Sequence, residues 1–404
     1  MRILLVLLGV GLWFAVSGST IEAATLHVAN NGVDGAGCGT VAAPCRSISK
    51  AIANAAPKDT ILVGPGVYGD LDANGAFTPA TGEEAAEVGV GCDCMVNVSK
   101  PLTILSRDGA DATVLDASQV VTVVKITSSN VVFGAPRRGF TLWRGLSGGV
   151  IVSAPADVKV AGNIAKFNGT ACPCPPGTLG AGFSVTGGTG HALTGNLSAN
   201  NNGQGFQVDG SGHALKENLV VDVSQAGFFI IGSGHTVHRN SSNNVGGAAF
   251  AFDGTGHEIT DNVAAASGGV QISGTGHTVE GNVASGNYGG APGFFIAGSS
   301  IVFRRNAARG NEGPGIHVNS GSTGIAITRS DLYGNGRTDA AAGVTNCGLF
   351  NDSGTTVIAT RNFWGAPTGP GLDPADDVCN GPGSTTVTTP FATGEISVPT
   401  VSIF

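Results

Sequence analysis

Charge is scarce in this chain. Only 12% of its 404 residues are Asp, Glu, Lys or Arg, and the formal net charge is −8. That balance excludes the basic footprint of a nucleic-acid binder, and no long single-sign run marks a charged tail. Aromatic residues amount to 6%, and methionine occurs twice. Heptads and helical periodicity are missing from the middle of the chain, which argues against coiled coils and bundles. Beyond the N-terminus no apolar run is long enough to cross a membrane. Glycine, by contrast, is abundant, at 66 residues, against a usual share of about 7%. It does not fall on a three-residue period, so the chain is not collagen-like. With 41% apolar residues and repeated Val/Ile/Leu runs, it is not a disordered low-complexity chain either.

Met1-Arg2 precedes an apolar run from Ile3 to Val16, then small and polar residues to Ala23. The run is too short for a spanning helix and has the layout of a secretory signal peptide. Residues 1–23 are therefore expected to be removed before Ala24, leaving an exported chain, extracellular or periplasmic. Eight cysteines suit an oxidising compartment. Cys38 and Cys45 close a short loop, and Cys347 and Cys379 lie alone in the C-terminal half. Cys92/Cys94 and Cys172/Cys174 are C-x-C pairs within Gly/Pro-rich insertions at residues 69–95 and 167–181. Four thiolates could hold zinc, but export favours disulfides. The expectation is that the two insertions meet and are linked to each other.

A repeat dominates the middle. Gly-Thr/Ser-Gly-His occurs five times, placing His191, His213, His235, His257 and His277 at spacings of 22, 22, 22 and 20. Five residues after each comes an amide: Asn196, Asn218, Asn240, Asn262 and Asn282, and the frame continues to Asn306. Short alternating segments precede each Gly-rich turn, such as Phe206-Gln-Val-Asp209 and Phe294-Phe-Ile-Ala297. Two or three short strands per unit, with turns between, predict an all-β fold. The unit is too short for a propeller blade and lacks a Leu-rich consensus. It fits one coil of a parallel β-helix, a solenoid of about 22-residue coils in which equivalent residues stack about 4.8 Å apart. Phe183, Phe206, Phe228, Phe250 and Phe294 then form an inward stack. Ser47 to Ala56 has helical spacing of apolar residues and stops at Pro57, which predicts a short N-terminal capping helix. The division is a cap over 24–60, coils over 61–365 and a closing segment over 366–404.

Two stretches carry a resemblance. Pro44…Ser47-Ile48…Ala51-Ile52…Asp59-Thr60-Ile61…Val63…Pro65-Gly66…Tyr68 resembles the N-terminal entry of right-handed parallel β-helix proteins of the pectin-lyase-like superfamily. Asn362-Phe-Trp-Gly365…Gly369-Pro370 resembles the close of many bacterial right-handed β-helix repeat proteins. The resemblance implies a single-stranded right-handed parallel β-helix from residue 24 to 404. It implies no one activity, since this fold hosts lyases, hydrolases, epimerases, adhesins and structural proteins.

The marks of the enzymatic members are missing. Asn-Thr-Asp, Gly-His-Gly and Arg-Ile-Lys segments do not occur together, the sole Asp-Asp is Asp376-Asp377, and Asp-Pro-His-Glu is absent. A lyase of the pectate type would need calcium-binding acids on adjacent coils and a basic residue. The nearest approach is an outward face carrying Gln207, Asp209, Phe229, Asp253, Gln271, Phe295, His317 and Asn319. Amides and carboxylates hydrogen-bond sugar hydroxyls, and aromatic rings stack on pyranoses. Asp209, Asp253 and His317 are the catalytic candidates on that face. Asp209 and Asp253 sit two coils apart, roughly 10 Å, with Ile231 between them. The five histidines share a strand face with inward aliphatics and read as a structural ladder; a zinc or copper array is the other reading. Glu217, Arg239 and Asp261 on successive coils, and Glu280 opposite Arg304, read as stacked ion pairs; a catalytic Arg239 between two acids is the alternative. The sequence thus points to a secreted, non-catalytic carbohydrate-binding or structural solenoid without a metal or other cofactor. The alternatives are a polysaccharide lyase or hydrolase, with calcium in the lyase case, and a metal-binding histidine ladder.

Overall fold

The computed structural model describes residues 23–89, 91–169, 180–336, 346–372 and 374–398. The expected signal peptide lies outside these residues apart from Ala23, as do Cys172 and Cys174. Strands of two to nine residues recur in a fixed order and stack, coil on coil, into parallel sheets of 14, 11 and 12 strands. The first sheet begins with Thr25–Val28 and Thr60–Val63, the second with Gly66–Gly69 and the third with Cys94–Val98. Register is set by the period-2 pattern, because a one-residue slip would turn every inward side chain outward. Phe206 thus pairs with Phe228 and Phe228 with Phe250. Their rings stack 4.8 and 4.7 Å apart, continuing a 4.8 Å contact from Phe183 to Phe206.

The corner from third to first sheet is the Gly-Thr/Ser-Gly turn. At Gly232 φ is +116°, and a Cβ there would overlap the carbonyl of Gly210 on the coil below. Only glycine allows the coils to approach this closely. The corner from first to second sheet is tighter and carries the asparagine ladder. The corner from second to third sheet takes the insertions, between Gly66–Gly69 and Cys94–Val98 and between Ile164–Lys166 and Ala181–Thr189.

The capping helix, Ile48–Asn54, covers the N-terminal end of the core with Ile48, Ala51 and Ile52. Ser47 caps it by accepting the Lys50 N–H. The first insertion adds a second cap: buried Glu84 accepts the N–H groups of Ile48 and Ser49 and the Ser49 hydroxyl. At the other end Lys100 Nζ donates to the carbonyls of Ile52, Ala53 and Ala55. A carboxylate at the N-terminus and an ammonium at the C-terminus both suit the helix dipole. One strand precedes the helix, since Thr25–Val28 is already a rung paired with Thr60–Val63. At the C-terminal end the coil pattern continues past residue 365, with Asp377–Asn380 on the third sheet and Thr385–Val387 on the first.

Three disulfides join described cysteines: Cys38–Cys45, Cys92–Cys94 and Cys347–Cys379. The second corrects the expected link between the two insertions. Asp93 adopts φ +49°, which turns the chain between its neighbours. It leaves the Cys92 and Cys94 Cα atoms 5.2 Å apart, within ordinary disulfide reach.

Candidate functional site

Sheet register assembles the outward face of the third sheet. Gln207, Phe229, Ala251, Gln271, Phe295 and His317 occupy successive rungs of one column. Asp209, Ile231 and Asp253 are successive rungs of the neighbouring column, and Asn319 follows Val318 at its C-terminal side. Asp209, Asp253 and Gln271 are exposed, while Gln207, Phe229, Phe295, His317 and Asn319 are half-buried. All eight predicted residues therefore lie on one face. The three catalytic candidates do not form a cluster. Ile231 separates the two carboxylates, and His317 stands three rungs beyond Asp253 in the other column.

The columns extend past the predicted set. Towards the N-terminus the first continues through Ser184 and Ile151 to Lys125 and Asn97. Lys125 Nζ lies 3.4 Å from the Cys92 carbonyl, so the first insertion covers that end. Towards the C-terminus the first column continues to Phe350. The His317 imidazole sits between two rings, Phe295 at 5.2 Å edge-on and Phe350 at 4.8 Å. Burial lowers its pKa, and the Asp352 charge works in the other direction. His317 Nε2 is buried without a hydrogen-bond partner. Phe350, Asp352 and Lys125 escaped the sequence reading because their coils depart from the 22-residue spacing. A second aromatic pair was missed for the same reason. Trp143 and Phe167, 37% and 47% exposed, lie 5.7 Å apart at the second-to-third corner. Beside them Arg144 pairs with Asp116.

The five ladder histidines are buried and point inward. Their rings stack at 4.8 to 5.0 Å. Each Nδ1 accepts a backbone N–H from the preceding rung: Val158, His191, His213, His235 and His257 in turn. Each Nε2 faces a carbonyl, at 2.9 Å in the case of His235 and Ile231. This network assigns one neutral tautomer throughout, with Nδ1 bare and Nε2 protonated. Burial lowers all five pKa values, that of His213 to about 4. A metal would need a lone pair that the backbone already occupies.

The asparagine ladder runs beside it. The side-chain oxygens of Asn196, Asn218, Asn240, Asn262, Asn282 and Asn306 each accept the N–H of the Asn one rung earlier, beginning with Asn163. The sequence did not disclose a second ladder at the second-to-third corner. There Asn168 bonds to Asn201, and Asn287, Asn311 and Asn335 run on to Asp376. The stacked ion pair of Glu280 and Arg304 is present. The ladder of Glu217, Arg239 and Asp261 is not. Those residues occupy left-handed corners, which splay the side chains, so that Glu217 pairs with Lys216 and Asp261 with His238.

Two clusters of described residues bring three potential metal ligands together. One holds Cys38 and Cys45, which are spent in a disulfide. The other is Asp70, Asp72 and Glu83 in the first insertion, where Asp70-Leu-Asp72-Ala-Asn74-Gly75 has the ligand types and spacing that open a calcium loop. Asp70 and Glu83 already accept backbone N–H groups from Asn74, Gly75, Leu71 and Thr78, which fold the turn. This motif went unnoticed in the sequence although its spacing was legible.

Residues 181–363 match the family described as a right handed beta helix region. Among solved structures the fold is similar to pectate lyase Pel9A, at 17% identity over 80% of this chain and 83% of that one, with a TM-score of 0.46. The Dettilon tailspike protein is 15% identical over 76% of this chain and 66% of its own, with a TM-score of 0.46. The A-module of the Azotobacter vinelandii mannuronan C-5 epimerase AlgE6 is 14% identical over 84% and 92%, with a TM-score of 0.37. No curated protein matches the sequence. Three stacked parallel sheets and the matched region give this chain the fold of a right-handed parallel β-helix.

Proposed function

We propose that the chain is an exported, non-catalytic polysaccharide-binding β-helix, with its ligand lying along the outward face of the third sheet. The observation that carries this reading is the in-register run from Gln207 through Phe229 and Phe295 to His317, flanked by exposed Asp209 and Asp253. Half-buried rings offer stacking surface, and amides and carboxylates offer partners for hydroxyls. A straight sheet lets such contacts repeat along a polymer. Disulfides support an oxidising compartment outside the cytosol. No helix among the described residues is long and apolar enough to cross a membrane.

Catalysis by proton abstraction would need a base and a charge-stabilising partner close together. The unpartnered Nε2 of His317 is the one feature that favours a lyase or hydrolase, but no Lys or Arg occupies the rungs beside it. The test is a glycan array with the mature chain and with the Phe229→Ala, Phe295→Ala double variant, together with an absorbance assay for unsaturated uronates. Binding by the wild type that the double variant loses supports the proposal. Equal binding by both removes this face, and no binding leaves a structural solenoid. Robust uronate cleavage abolished by His317→Ala would make the protein an enzyme.

A further inference from the structure

The left-handed position at the first-to-second corner changes character towards the C-terminal end. Earlier rungs hold Glu217, Arg239 and Asp261, of alternating sign, at φ +56°, +54° and +55°. After Gly281 the same position holds Arg305, Arg329 and Arg361, at φ +54°, +51° and +61°. Each arginine immediately precedes a member of the corner ladder, where Asn306 N–H donates to Ser330 and Ser330 N–H donates to Asn362. The three are therefore stacked one rung apart. Glycine or asparagine is the low-strain choice for this backbone, and like charges in a column repel. Neither the fold nor its stability calls for arginine at these places.

The guanidinium groups are also short of partners. Arg304 beside them is committed to Glu280, and Arg305 reaches only the Ser397 carbonyl at 3.5 Å. Arg329 and Arg361 form no side-chain hydrogen bond or ion pair with described residues. All of them line one cavity of about 450 Å³ together with Thr328, Thr360, Pro390 and Glu280, whose carboxylate is paired with Arg304.

We propose that this cavity binds a linear acidic polysaccharide, one whose carboxylates or sulfates recur along the chain. Guanidinium forks match such anions geometrically. A column of cations at about the rung spacing of 4.8 Å suits a polymer carrying one charge per sugar better than a lone ion. Threonine hydroxyls provide partners for ring hydroxyls. No aromatic side chain lines the cavity to stack a base, as single-stranded nucleic acid would require. The site lies on a different corner from the third-sheet face and does not depend on it.

The experiment is affinity electrophoresis of the mature chain through gels containing polygalacturonate, heparin or neutral dextran, with single-stranded DNA as a further probe. The variant is Arg329→Asn with Arg361→Asn, since asparagine tolerates the left-handed backbone; a melting curve like that of the wild type establishes that it is folded. Retardation by an acidic gel but not by dextran, weakened about tenfold in apparent affinity in the double variant, is the expected result. The same loss should appear when Arg329→Asn with Arg361→Asn is introduced into the Phe229→Ala, Phe295→Ala background, which separates this site from the third-sheet face. Equal retardation of wild type and double variant, no retardation by either acidic glycan, or tighter binding of DNA than of both would each overturn the proposal.

Discussion

At position 235 an imidazole accepts the His213 N–H through Nδ1 and donates through Nε2 to the carbonyl of Ile231. The same inward column is filled by Val158 before the histidines and by Ile301 and Ile325 after them, all at most 3% exposed. The histidines are thus core residues that carry two extra hydrogen bonds. His235→Ala removes both partners at once and leaves a void between stacked rings. The expected cost is about 3 kcal/mol, from the cavity and from the stranded N–H and C=O groups. Urea unfolding of wild type and variant measures it. Stoichiometric zinc or copper should raise the midpoint of neither. A metal-dependent gain in the wild type that His235→Ala loses would establish a metal array instead.

The capping helix is an element whose ends are held from elsewhere in the chain. Glu84 serves its N-terminus across 36 residues, and Lys100 serves its C-terminus across 48. Glu84→Ala should uncap the helix locally, at about 1–3 kcal/mol for the two exposed amides and the hydroxyl. Hydrogen exchange over residues 48–54 should accelerate while the middle coils stay protected. Uniform loss of protection along the whole chain would show that the cap and the coils unfold as one unit. The helix itself was legible, because Ile48, Ala51 and Ile52 have its spacing and Pro57 follows. Glu84 was not, since its partners are distant in sequence. The same contrast runs through the coils. The histidine and first asparagine ladders announced themselves by near-constant spacing. The second amide ladder was hidden because Val223 and Val245, both buried, interrupt it. On the candidate face, the residues between 207 and 319 could be aligned from the repeat. Lys125, Phe350 and Asp352 could not, because insertions at the second-to-third corner change the coil length.

For the molecule as a whole, six histidines share a direction of shift. His191, His213, His235, His257, His277 and His317 all have lowered pKa values, with burial as the first cause. Between the ordinary value of about 6.5 and the depressed folded values, the unfolded chain binds protons that the folded chain refuses. Stability is therefore whole above about pH 6.5 and falls as the pH drops through that window, which for His213 reaches down to about 4. That one group corresponds to about 3 kcal/mol once the window is crossed. Glu84 and Asp331 act in the opposite sense. Burial raises their pKa values, so the folded state holds their protons more tightly and gains stability as the pH falls through the raised values. In a solenoid each coil is stabilised mainly by its neighbours, and the five ladder histidines are contiguous, so their protonation strikes adjacent coils together. The urea midpoint should fall between pH 7.5 and pH 5, with net proton uptake on unfolding near pH 5.5. His235→Asn should reduce that uptake by one proton at most. An unchanged midpoint across this range would mean that the ladder is not neutral in the folded state.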